Sequence, residues 1–209
     1  MKNHWKYVLI LCLLYVIPCL PCQAHPVLLV VGDSLSAAYQ IPPEDGWVSL
    51  LENKLKKTYP NIKVVNSSTV GDTTGKSLEY LPDLLNTHHP DIVILELGGN
   101  DGLRGLSVQS IRDNLSKMIE LSLNAKAKVL LIGIRLPPNY GKAYTEKFYE
   151  NYSQLAQQYH IALAPFLLEN VALNPKLLFE DRIHPTREAQ PILVDNVYPY
   201  LVPLLPANP

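Results

Sequence analysis

From residue 25 onward the chain alternates apolar runs too short for helices with longer stretches whose apolar positions recur every three or four residues. The short runs predict strands over residues 27–31, 62–66, 92–97, 129–134 and 161–164. Between them Trp47, Leu50, Leu51, Leu55 and Tyr59 share one helical face. Val108, Ile111, Leu115, Met118 and Ile119 share another, and Phe148, Tyr152, Leu155, Ala156 and Tyr159 a third. A shorter helix is expected over 78–85. The stretch 188–205 is apolar enough to pack as a helix, with Pro199 and Pro203 expected to break or bend it. Strand and helix in alternation are the signature of βαβ units, hence of an α/β fold on a parallel sheet.

The first two dozen residues follow a different rule. Lys2 and Lys6 precede an eleven-residue apolar run, residues 7–17, that Pro18 ends and that falls short of the roughly 20 residues a bilayer span needs. A signal peptide over 1–24 is expected, cut after Cys22-Gln23-Ala24, with export to the periplasm or beyond and no stable membrane span. A lipoprotein cysteine is disfavoured because a proline precedes both Cys19 and Cys22. All three cysteines lie in that segment, so an exported domain of residues 25–209 would have no thiol for a disulfide or a metal. Its 185 residues suit one α/β domain, with a monomer as the default. Removing Lys2 and Lys6 leaves 16 basic residues against 19 acidic, a formal charge of −3 with no basic cluster, which excludes nucleic acid as the expected partner.

A parallel sheet collects ligands at the carboxyl ends of its strands, where the winding direction reverses. Ser34 follows the first expected strand, Gly71 the second, Asn100 the third and the 135–141 loop the fourth, so independent segments converge on one edge. Asp181 and His184 follow the last strand. Three residues apart on a turn, the carboxylate can accept the Nδ1 proton of His184, leaving Nε2 to take the hydroxyl proton of Ser34. Pro185 disfavours a continuing helix there and predicts a tight, held turn. The backbone N–H groups of Ser34 and Gly71 and the side-chain amide of Asn100 are candidate donors to an oxyanion. Taken singly, Ser34 is as well explained as a helix cap, and Gly71 and Asn100 as turn residues; the combination favours a serine hydrolase. His88, His89, His160 and His25 fall at the opposite edge or the terminus and are expected to be solvated or capping residues. Asp33 is expected to hold its loop through backbone hydrogen bonds.

Other chemistries fit less well. The segment Gly71-Asp72-Thr73-Thr74-Gly75-Lys76-Ser77 imitates a phosphate-binding loop but has three residues between its glycines where four are needed. There is no Gly-x-Ser-x-Gly elbow, no HExxH and no cysteine cluster, so neither a cofactor nor a metal is expected.

Gly32-Asp33-Ser34-Leu35-Ser36, Val70-Gly71-Asp72-Thr73, Glu96-Leu97-Gly98-Gly99-Asn100-Asp101-Gly102-Leu103-Arg104-Gly105 and Asp181-Arg182-Ile183-His184-Pro185 together resemble the four sequence blocks of the SGNH, or GDSL, hydrolases. Residues 134–141 and Ala189-Gln190-Pro191 are similar to the exported bacterial branch of acyl-CoA thioesterase, protease and lysophospholipase enzymes with their related arylesterases. The resemblance implies a flavodoxin-like three-layer sandwich with five parallel strands in the order 2-1-3-4-5. It implies Ser34 as nucleophile, His184 as base, Asp181 as its partner, and Ser34, Gly71 and Asn100 as the oxyanion hole. It further implies an acyl-binding surface from Leu103, Leu106, Leu136, Pro137 and Tyr140, a mobile 102–107 loop, and an acyl ester, thioester or lysophospholipid as substrate. A carbohydrate O-acetylesterase of the same superfamily is the rival, and a lipid- or carbohydrate-binding module a weaker one. Val70 and Arg182 depart from the branch's usual pattern, at positions able to alter leaving-group preference.

Overall fold

The computed structural model describes residues 25–207; the expected signal peptide lies outside the described residues. Five strands, β1 (Val27–Gly32), β2 (Lys63–Asn66), β3 (Ile92–Glu96), β4 (Lys128–Ile132) and β5 (Ala162–Ala164), form one parallel sheet in the order β2-β1-β3-β4-β5. The helices are α1 (Trp47–Lys56), α2 (Thr74–His88), α3 (Gly99–Leu103), α4 (Val108–Asn124), α5 (Lys142–Tyr159) and α6 (Gln190–Leu201).

Side chains alternate across a strand, and the sheet is apolar on both faces, so it must be covered on both. Leu28, Val30, Ile94 and Ile132 pack with Trp47, Leu51 and Leu55 of α1 and Leu193 and Val197 of α6. The intervening residues Leu29, Val31, Val93, Leu95 and Leu131 pack with α2, α4 and α5 through Leu81, Ile111, Leu115, Phe148 and Tyr152. A three-layer sandwich results, and each fully buried aliphatic chain contributes about 1.5–3 kcal/mol of transfer free energy.

Helix α2 is longer than the expected 78–85, because the Thr73 side chain accepts from Lys76 N–H and caps the helix at its true start. That cap is what the imitation phosphate loop does. Helix α6 runs through Pro199 and changes to a 3-10 turn, Val202–Leu204, only at Pro203. Of the break or bend expected at Pro199, the break does not occur: Pro199 lies in the last turn, and burial of Val194, Val197 and Leu201 on α1 and the sheet outweighs one lost hydrogen bond. His89 and His160 take left-handed conformations that end α2 and α5, the capping role expected of them.

The chain leaves β1 for β2 on one side and returns to β3 on the other, so the winding reverses between β1 and β3. The loops after those strands carry Ser34 and Asn100.

Candidate active site

Gly32 ends β1, and the chain then coils through residues 33–40, with Ala37 N–H donating to Asp33 O (3.0 Å) and Tyr39 N–H to Ser34 O (3.2 Å). Gly32 is required by a close approach: a Cβ there would lie 2.8 Å from Ser36 Cβ and 2.9 Å from Glu96 Oε2. Ser34 sits at the head of this coil with 9% of its surface exposed.

The turn carrying Asp181 and His184 is closed as a small hairpin. Phe179 N–H donates to His184 O (2.8 Å), Thr186 N–H to Leu177 O (2.9 Å), and Leu178 pairs antiparallel with Pro185. Within it Asp181 Oδ1 accepts from the N–H groups of Ile183 (2.9 Å) and His184 (3.0 Å), while Oδ2 lies 2.7 Å from His184 Nδ1. His184 Nε2 lies 2.9 Å from Ser34 Oγ, across 150 residues of sequence. Carboxylate, imidazole and hydroxyl therefore form one unbroken chain of hydrogen bonds. Partial burial pushes the Asp181 carboxyl up, but the N–H groups of His184 and Ile183 and the imidazole together hold it below the usual carboxylate value.

Two supports of this arrangement have no signal in periodicity or spacing. Tyr39 lays its ring against the His184 imidazole, with centroids 4.5 Å apart. Buried Gln190 accepts from Trp47 N–H (3.0 Å) and donates to the carbonyls of Pro185 (3.3 Å) and Thr186 (3.2 Å), tying the turn that carries His184 to α1 and α6.

Gly71, at φ +81°, and Ser34 both present backbone N–H groups that donate to no partner among the described residues. Asn100, which starts from the left-handed Gly98 (φ +115°), has its amide already directed: Nδ2 donates to Asp33 Oδ2 (3.1 Å) and to Asp72 O (2.9 Å). As an oxyanion donor it would have to share one of those protons, whereas the two backbone groups have theirs free.

Beneath Ser34 lies a pair of carboxyl groups. Asp33 accepts from Leu35 N–H (3.0 Å), the loop-holding role expected, as well as from Asn100. Burial, together with nearby Asp101, pushes it up to about 6 against the lowering pull of Leu35, His184 and Asn100. Glu96, paired in register with Gly32, is fully buried; its Oε2 accepts from Ser36 Oγ (2.7 Å) and, more weakly, from Asp33 N–H (3.4 Å). Burial and the neighbouring Asp33 push Glu96 well above the usual carboxylate range.

A cavity of about 920 Å³ opens beside Ser34 and His184. Of the residues expected to bind an acyl chain, Leu103, Leu136 and Pro137 line it. Leu106 and Tyr140 do not. Tyr140 instead donates its hydroxyl to Leu103 O (3.0 Å), while exposed Leu106 accepts from Tyr144 through its backbone carbonyl (2.6 Å). The segment after β5 adds Phe166, Leu167, Leu168, Ala172 and Leu173 to the lining. That segment has no regular period, and its contribution is invisible in sequence. Among the described residues no cluster of three or more His, Cys, Asp or Glu side chains could hold a metal ion.

A sequence profile described as the GDSL-like Lipase/Acylhydrolase family matches residues 30–191, spanning every segment just described. The chain belongs to that family. Among its members, an arylesterase of Vibrio mimicus is 48% identical over 180 residues, covering 86% of this chain and 90% of the relative. The thioesterase 1/protease 1/lysophospholipase L1 of Escherichia coli strain K12 is 42% identical over 182 residues, covering 87% and 86%. The crystal structure of TesA superposes with a TM-score of 0.84 at 47% identity, over 86% of this chain and 99% of that one. The sandwich and strand order are those of this family.

Proposed function

We propose that this GDSL-family carboxylic ester hydrolase acts through Ser34 as nucleophile, His184 as general base and acid, and Asp181 as the group that holds the imidazole. The observation that carries the reading is the unbroken relay from Asp181 Oδ2 through His184 (2.7 Å) to Ser34 Oγ (2.9 Å). His184 Nε2 takes the hydroxyl proton as Oγ attacks the carbonyl, and the N–H groups of Ser34 and Gly71, aided by Asn100, receive the negative charge on the former carbonyl oxygen. The same nitrogen then delivers its proton to the departing alcohol or thiol. Water, deprotonated by His184, attacks the acyl-Ser34 ester and releases the carboxylic acid.

Esters are the substrate class, and a thioester presents the same carbonyl to the same relay, so thioesterase turnover is expected alongside. The largely apolar cavity wall favours a medium or long acyl chain over acetyl, and with it a lysophospholipid or similar lipid ester over an acetylated carbohydrate. The basic and apolar start of the chain supports export of a single domain over residues 25–209, which would bring it to envelope lipids.

Replacing Ser34 by Ala is expected to abolish aryl-ester hydrolysis and fluorophosphonate labelling while circular dichroism and the thermal midpoint stay at wild-type values. Turnover retained by that variant would remove Ser34 from the mechanism. Comparing acetyl, octanoyl and palmitoyl esters of one aryl alcohol separates the readings, since an acetyl-only range would favour the O-acetylesterase.

A further inference from the structure

Resting on the esterase reading above, we infer that Arg182 selects substrates whose departing alcohol or thiol carries a phosphate group. His184 Nε2 must reach the leaving atom to protonate it, so the departing group lies along the turn that presents His184. Arg182 is on that turn, two residues earlier, and lines the cavity together with Ile183 and His184. The acyl chain is assigned to the apolar residues Leu103, Leu136 and Pro137 that line the same cavity. Arg182 is thereby assigned to the half of the substrate that leaves.

Three observations make it more than a solvated side chain. Its backbone stands at φ +61°, a left-handed conformation that glycine adopts freely and a branched-chain or long residue adopts at a steric cost. The hairpin demands that conformation, since Arg182 N–H donates to Phe179 O (3.0 Å) while Asp181 caps the next two N–H groups. A cation therefore stands where the backbone favours glycine. Secondly, among the described residues no carboxylate pairs with its guanidinium, although Arg187, five residues on, is paired with Asp45. Thirdly, the other arginine on the cavity, Arg135, is held on the loop after β4, stacked 3.7 Å from the centroid of the Tyr149 ring, and not on the turn that presents His184. Asp33 and Glu169 are the carboxyl groups on the same cavity. A guanidinium offers planar paired donors suited to phosphate oxygens, and Arg182 supplies them on the turn that presents His184.

The shared chemistry is a phosphate on the leaving group, whether the phosphodiester of a lysophospholipid or the phosphates of an acyl-CoA. Two matched pairs distinguish these sources: lauroyl-lysophosphatidylglycerol against monolauroylglycerol, and lauroyl-CoA against lauroyl-N-acetylcysteamine. Each is assayed at one pH and below its micelle concentration. Wild-type kcat/KM is expected to favour the phosphate-bearing member of at least one pair by about tenfold, and this preference shrinks as salt is raised. Arg182→Gly is expected to lose that preference, with a thermal midpoint at or above the wild-type value because glycine relieves the left-handed backbone; Arg182→Lys should retain part of it. The pair that responds names the source. A ratio unchanged in Arg182→Gly for both pairs would overturn the proposal, as would an equal loss on both members of each pair, which marks damage to the catalytic turn. Failure of the esterase reading looks different: wild type would then hydrolyse none of the four.

Discussion

Glu96 is a carboxyl group without solvent contact, and its only partners among the described residues are the hydroxyl of Ser36 and the N–H of Asp33, on either side of Ser34. Its Oε1 has no partner among the described residues, a cost that is tolerable only for a neutral carboxyl, in keeping with the upward push of burial. We read it as a positioning residue for the nucleophile. Glu96→Gln keeps an accepting oxygen and is expected to stay within about threefold of wild-type kcat on an aryl ester, whereas Glu96→Ala frees the coil and is expected to cost up to about 100-fold in kcat with a much smaller change in KM. Equal losses in both variants would show that the carboxyl acid itself, and not its acceptor, matters. Asp181→Asn tests the other carboxylate. It cannot hold the imidazole tautomer that leaves Nε2 free, and kcat is expected to fall by roughly 100- to 10,000-fold with the thermal midpoint nearly constant. The relay residues were legible because Ser34, Asp181 and His184 have side-chain chemistry that spacing makes interpretable. Glu96 was not, since a glutamate inside an apolar strand carries no sequence sign of what it faces.

At the scale of elements, α3 exists because Gly98 turns the chain sharply after β3. At φ +115° a side chain is strained in any case, and a Cβ would collide with the Tyr152 hydroxyl, which donates to Leu97 O (3.0 Å). Gly98→Ala is expected to destabilise the fold by about 2–3 kcal/mol, read from the urea midpoint, and to lower kcat further by displacing Asn100. A midpoint within about 0.5 kcal/mol of wild type would contradict the packing just described. The strands and the long helices α1, α4 and α5 followed from periodicity. Helix α2 began four residues before its expected start because the Thr73 cap, a side-chain contact, fixes it. Helix α6 continued past Pro199 because tertiary burial overrode a local preference. The cavity wall after β5 has no periodic sign, since turns carry side chains inward wherever the neighbouring strands leave space.

For the molecule as a whole, burying Asp33 and Glu96 together beneath Ser34 costs stability at neutral pH. Asp33 titrates at about 6 in the folded protein against an ordinary 3.8, so between those values the folded state holds a proton that the unfolded chain has lost. The resulting destabilisation, on the order of 3 kcal/mol, is fully present above the folded value and fades as pH falls toward the ordinary one; Glu96 acts in the same direction. Urea midpoints are therefore expected to rise from about pH 7 to about pH 5, and Asp33→Asn to flatten that rise. A wild-type midpoint that drops over the interval with the same slope as the variant would refute it. Asp181, held low, opposes this only at more acidic pH. Sequence by itself determined the α/β class, the strands and the edge at which the chemistry collects, because each follows from local period and from the order of elements along the chain. Only the folded chain decided what lies under and around the hydroxyl: the Glu96 carboxyl, the Tyr39 ring on the imidazole, the Gln190 tie and the cavity lining after β5. Those depend on contacts between segments far apart in sequence, which pairwise packing creates and no local pattern encodes.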